Sequence, residues 1–203
     1  MRPIFHTIMA GLCLVVIAGC GVTKPSKYYL LTPVDLDSAG SLDTQAGIIG
    51  IGPLAFPTYL DRPQIAVRSG GNQIDYADSH RWAEPLKTAF IQTLSENLSR
   101  MLSVERSVIY PWSRSTSLDY QVMVNVTRFD ADAAGTVTLA VDWEIMRTID
   151  SYSVDQNKAT YTEAAGSIDY PAIVAAQSRA VEQLSRDIAA AINKAAAITD
   201  QPS

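Results

Sequence analysis

The sequence predicts one α/β domain, a mixed sheet with an antiparallel meander and two principal helices. Three observations lead there. Apolar residues recur at helical spacing from Leu86 to Leu102 and again from Val174 to Ile192. They alternate with polar ones from Tyr120 to Val126 and from Val137 to Ile145, the period of half-buried strands. The chain has 203 residues, 47% of them hydrophobic, enough to bury one core without disulfide or metal staples.

The chain opens with Arg2, an apolar stretch from Ile8 to Ile17, and the small residues Ala18 and Gly19. This is signal-peptide grammar, and the stretch is too short for a spanning helix, which needs roughly 20 apolar residues. Ile17-Ala18-Gly19-Cys20 resembles the bacterial lipobox. That resemblance implies a leader over 1–19 and an acylated Cys20 as the first mature residue. Each buried CH₂ of its acyl chains contributes about 0.8 kcal/mol of anchoring. The mature chain then has 203 − 19 = 184 residues, and loss of Arg2 moves the formal charge from −5 to −6. Cys13 and His6 leave with the leader, so the mature chain keeps no free thiol and one histidine, His80. Gly21 rather than Asp follows the cysteine, which by bacterial sorting rules implies the outer membrane.

Residues 20–27 read as a short lipid-anchored tether containing Pro25, and residues 28–198 as the domain. Tyr28 to Leu31 reads as a strand closed by Thr32-Pro33, and residues 35–47 as a loop. Ile48 to Gly52 is a short buried strand ended by Pro53, and Pro57 to Pro63 a connection. Ile65–Ser69 and Gln73–Ala77 flank Gly70-Gly71-Asn72, a hairpin signal. Pro85 fits the first turn of a helix carrying Leu86, Phe90, Leu94, Leu98 and Leu102. Val104 to Trp112 is a strand candidate closed around Pro111. After the two alternating strands, 159–168 supplies a third, with Asp155-Gln156-Asn157 as the turn. Pro171 opens an Ala-rich helix to about Ala197 whose buried side carries Val174, Gln177, Val181, Leu184, Ile188 and Ile192. The tail 200–203 reads as frayed.

Composition removes several function classes. With 21 acids, 16 bases and no basic block, the chain is a poor nucleic-acid binder. Nucleophilic catalysis needs a base near the nucleophile, and only His80 remains, with no Gly-x-Ser-x-Gly elbow. Asp142 and Glu144 share one strand face, where a pair of carboxylates reads first as solvated surface. Asp130-Ala131-Asp132 lacks the further ligands of a calcium loop and reads as a turn. No catalytic residue, metal site or cofactor is expected, apart from the covalent lipid on Cys20.

Two segments stand out, Tyr59-Leu60-Asp61-Arg62-Pro63-Gln64 and Arg81-Trp82-Ala83-Glu84-Pro85-Leu86. In one reading Trp82 packs in the core and Arg81 or Glu84 caps the helix start. In the other, Tyr59, Asp61, Arg62, Arg81 and Trp82 form a partner interface, since Trp, Tyr and Arg concentrate at hot spots. With the lipobox and Tyr28-Tyr29-Leu30-Leu31, these segments resemble the ABC-type transport auxiliary lipoproteins, the PqiC/YmbA family. The resemblance implies a non-enzymatic outer-membrane lipoprotein facing the periplasm. It implies work with MCE-type periplasmic proteins, in some cases with ABC transporter components, in lipid traffic between the membranes and envelope integrity. It also implies a homo-oligomeric ring. The alternative is a periplasmic shuttle that holds lipid in its own cavity, which needs an apolar pocket of several hundred Å³.

Overall fold

A computed structural model describes residues 25–35, 47–102, 104 and 106–199. The leader, Cys20, the first part of the tether, most of the 35–47 loop and the tail 200–203 lie outside the described residues. The strands are β1 (Lys27–Tyr29), β2 (Ile48–Ala55), β3 (Gln64–Gly70), β4 (Gln73–Trp82), β5 (Arg106–Ile109), β6 (Tyr120–Asp132), β7 (Thr136–Arg147) and β8 (Tyr152–Ala164). The helices are α1 (Leu86–Leu102) and α2 (Tyr170–Thr199), and a 3₁₀ turn covers Thr58–Leu60. All eight strands join one mixed sheet, as the α/β class requires.

β6 is the axis of that sheet. β7 pairs antiparallel with it from Tyr120↔Arg147 to Ala131↔Val137 and so occupies one whole edge. Its other edge is shared end to end: β2 pairs parallel over Tyr120–Asn125, and β3 pairs parallel at Ala131 and Asp132. β4 then adds antiparallel to β3, β1 parallel to β4, β5 parallel to β2, and β8 antiparallel to β7. Both helices pack on one sheet face and against each other.

The alternation read from the sequence is the face that meets the helices. Val122, Val124 and Val126 of β6, and Leu139, Val141, Trp143 and Ile145 of β7, are buried. Phe90 of α1 meets Phe129 edge-on at 5.5 Å and Phe56 at 5.6 Å. Leu94, Leu98 and Leu102 are fully buried beneath it, and Val181, Leu184, Ile188 and Ile192 do the same for α2. Asn97, fully buried on α1, is satisfied on both sides. Its Oδ1 accepts the Val34 N–H at 2.8 Å, and its Nδ2 donates to Ser185 Oγ on α2 at 3.0 Å. One amide thus ties the segment after β1 to both helices.

Several boundaries differ from the sequence reading. β1 covers Lys27–Tyr29 rather than Tyr28–Leu31. β2 does not stop at Pro53 but continues to Ala55; its pairing with β6 shifts register between Ile51 and Leu54, and a proline is tolerated in a strand at such an irregularity. β5 keeps only four residues, because its partner stretch of β2 is Ile48–Ile51. Asp155-Gln156-Asn157 is not a turn. β8 starts at Tyr152, and those residues pair with Ile145, Glu144 and Trp143; the turn lies at 148–151, where Ser151 takes a positive φ of 54°. The polar first half of β8 is strand because β7 offers its whole length for pairing, which overrides weak local propensity. Asp130 is not in a turn either, but inside β6 and fully buried. Only Asp132 acts as a turn residue, its Oδ1 accepting the N–H groups of Ala134 and Thr136. The hairpin, the α1 stripe and the α2 stripe fall where the sequence places them.

Leu94, with no exposed surface, tests this packing. Leu94→Ala is expected to lower unfolding free energy by about 2–5 kcal/mol in a urea titration. Leu94→Asp is expected to leave no cooperative transition, since it buries an unpaired charge. A folded Leu94→Asp protein would show that this face of α1 is misassigned.

Candidate functional site

The two segments that stand out in the sequence meet at one place, with Tyr28-Tyr29-Leu30-Leu31 beside them. β1 runs parallel to β4 with Tyr28 beside Arg81 and Tyr29 beside Trp82. The Ala83 N–H donates to the Tyr29 carbonyl at 2.9 Å, and the Trp82 N–H donates to the Pro63 carbonyl at 2.7 Å. Gln64 lies opposite Arg81 across β3 and β4. Where these strands end, a cleft of about 280 Å³ opens. Leu60, Asp61, Arg62 and Pro63 form one wall; Trp82, Glu84 and Leu86 stand in the other. The Pro85 carbonyl accepts the Thr88 and Ala89 N–H groups and so starts α1 at the cleft floor.

The candidate interface residues divide into two kinds. Asp61 and Arg62 are exposed on the rim, with the Arg62 guanidinium 4.9 Å from the centre of the Tyr76 ring. Trp82 is core, 4% exposed, though its edge reaches the cleft. Arg81 is half-buried on β4 rather than on the helix, and its Nε is sequestered without a hydrogen-bond partner among the described residues. Tyr59 points inward, its hydroxyl donating to Asp130 Oδ2 at 2.7 Å.

Asp130 is the residue that sequence reasoning missed. Its carboxylate, fully buried, accepts Tyr59 Oη, Arg68 Nη2 at 2.9 Å and Arg128 Nε at 2.9 Å. Burial pushes the Asp130 carboxyl up, but the hydrogen bonds from Arg68, Tyr59 and Arg128 outweigh it and hold the group below its ordinary value. Burial, and then the bond to Asp130, push the Tyr59 hydroxyl up to about 12. The Tyr59 carbonyl in turn accepts the Tyr76 hydroxyl at 2.9 Å. The connection that carries Asp61, Arg62 and Pro63 is therefore fixed from below. No local pattern announces this, because Arg68 and Tyr59 lie 62 and 71 residues from Asp130.

His80 stands beside this site. Its Nδ1 is 2.7 Å from Tyr29 Oη, and its ring stacks between Tyr29 at 5.6 Å and Tyr170 at 4.0 Å. Burial and then Lys27 hold its pKa below the ordinary value. The arrangement clips the strand that follows the tether to the start of α2. Asp142 and Glu144 lie on the outer sheet face, where Lys158 pairs with Asp142 at 3.4 Å. They line an open cleft of about 700 Å³ with Met123 and Gln156. Its size meets the demand of the shuttle alternative, and its lining combines the apolar Pro53, Leu54, Met123 and Trp143 with the charged Asp142, Glu144 and Lys158. Among the described residues no group of three metal-ligating side chains occurs, and no helix is long and apolar enough to cross a membrane.

Residues 28–189 match the family of ABC-type transport auxiliary lipoprotein components. The chain belongs to this family. The match spans all three signature segments and excludes the leader and tether. Two solved structures share the fold: an uncharacterized protein, 20% identical, TM-score 0.68, over 83% of this chain and 99% of that one; and a DUF330 protein from Xanthomonas campestris, 17% identical, TM-score 0.65, over 85% and 99%. Among curated proteins none matches the chain. Membership in this auxiliary lipoprotein family gives the chain a transport-associated role at the cell envelope.

Two predictions follow from the geometry. Asp130 has a depressed folded pKa, so its contribution is present above the unfolded value of 3.8 and lost as pH falls through the folded one. Asp130→Asn is expected to cost about 3 kcal/mol at pH 7, and to flatten the loss of melting temperature that the wild type shows below about pH 4. An unchanged acid profile in the variant would remove Asp130 from the account. Trp82→Ala is expected to cost about 3–5 kcal/mol, as core aromatic truncations do, whereas Asp61→Ala and Arg62→Ala stay within about 1 kcal/mol. Calorimetric melts separate the two classes.

Proposed function

We propose that this protein is a non-enzymatic outer-membrane lipoprotein that docks an MCE-type periplasmic protein, with ABC transporter components in the same system, for lipid traffic between the membranes. The family supports the auxiliary transport role. The lipobox supports acylation of Cys20, palmitate among the acyl chains, and Gly21 supports sorting to the outer membrane. The observation that carries the docking reading is the convergence of two signature segments on one cleft, with the third paired beside it through β1, and with rim residues Asp61 and Arg62 that face solvent. A cleft of about 280 Å³ is small for a lipid but suits an anchoring side chain of a protein partner.

In this reading Cys20 holds the domain to the periplasmic leaflet, and β1, clipped by His80 and Tyr170, transmits that tether to the core. The hydrophobic route for lipid belongs to the partner assembly, around which several copies of this chain gather. Cys20→Ala is expected to move the protein from the membrane to the soluble periplasmic fraction. The lipidated protein, purified from gently solubilised envelopes, is expected to bring an MCE-type protein identifiable by mass spectrometry. The protein alone with bound lipid would favour the shuttle instead.

A further inference from the structure

We propose that the outer edge of β1 takes a β-strand from the docked protein partner, an extended segment with apolar side chains at alternate positions. This rests on the docking reading above and adds the chemistry by which the partner is held. β1 ends its side of the sheet; among the described residues its one strand partner is β4. The Tyr29 carbonyl accepts the Ala83 N–H, so the backbone groups of Tyr29 face β4. Backbone groups change sides with each residue of a strand, and those of Tyr28 therefore point away from the sheet. Such a row of unpaired N–H and C=O groups is a template for another backbone. A bilayer core offers no matching donors and acceptors.

The side chains specify the same occupant. Tyr28 is 65% exposed and Leu30 54%, two large apolar groups two residues apart, the spacing at which an added strand presents its own side chains. Natural sheets blunt exposed edges with proline and lysine. Here Pro25 and Lys27 blunt only the end nearest the tether, and among the described residues the side chains of Tyr28 and Leu30 stay open. The edge is also continuous with the signature cleft, because Ala83, bonded to Tyr29, lies between Trp82 and Glu84 on the cleft wall. A strand laid on β1 would run one strand away from Ala83 and Trp82 of that wall.

Tyr28→Pro tests this cleanly. It deletes the one N–H that points outward at that position and leaves the groups of Lys27 and Tyr29 that pair with β4. The measurement is binding of the lipidated protein to the purified MCE-type partner, with hydrogen exchange of the 25–31 peptide read in the same complex. Tyr28→Pro and Leu30→Asp are expected to weaken binding about tenfold or more, while Tyr152→Ser, at an exposed tyrosine on β8, leaves it unchanged. Exchange of the Tyr28 amide is expected to slow in the complex. Wild-type affinity for both variants, or an unaltered Tyr28 amide in a formed complex, would overturn the edge inference and leave docking intact. No binding by the wild type would remove both. Concentration-dependent protection of Tyr28 without partner would identify a second copy of this chain as the occupant and overturn the assignment.

Discussion

One buried carboxylate holds the functional end of this molecule together. β2 and β3 share a single edge of β6, so the chain between them must leave the sheet and return, and nothing in the ladder fixes where it goes. Asp130 on β6 fixes it, by accepting Tyr59 from that connection, Arg68 from β3 and Arg128 from its own strand. A buried charge is tolerated only when it is paired and hydrogen-bonded, and this one is met by three donors. With Tyr59 pinned, Pro63 lies where its carbonyl takes the Trp82 N–H, and the two walls of the cleft stand at a set distance.

From that junction the route to function is short. Trp82 is both core residue and cleft wall, so the two readings of the Arg-Trp-Ala-Glu-Pro-Leu run hold together: its burial shapes a surface that Asp61 and Arg62 complete. β1 lies against the same stretch of β4 and leads back to the tether. Cleft and open edge are thus neighbours.

How much of this the sequence disclosed depends on the range of the interaction. The α1 stripe from Leu86 to Leu102 and the alternation through Val122 and Val141 are written in local periodicity, and both are where the reading places them. The first half of β8 is not. Asp155, Gln156 and Asn157 carry turn chemistry, yet sit in a strand because β7 supplies partners along its whole length. β2 crosses Pro53 at a register shift that no window of sequence displays. Asp130 reads as part of a turn because two of its three donors, Tyr59 and Arg68, are dozens of residues away. The signature segments could be singled out one by one, but their meeting depends on the β1–β4 and β3–β4 pairings.

The central claim is that the cleft between Pro63 and Trp82 is the face this lipoprotein turns to its partner. Photocrosslinking in intact envelopes tests it most directly, with a benzophenone amino acid at position 62 and, in a separate protein, at position 152 on β8. A crosslink from position 62 to an MCE-type protein, and none from position 152, is the predicted result. A crosslink from position 152 with none from position 62 would contradict the account and move the docking face to the opposite edge of the sheet.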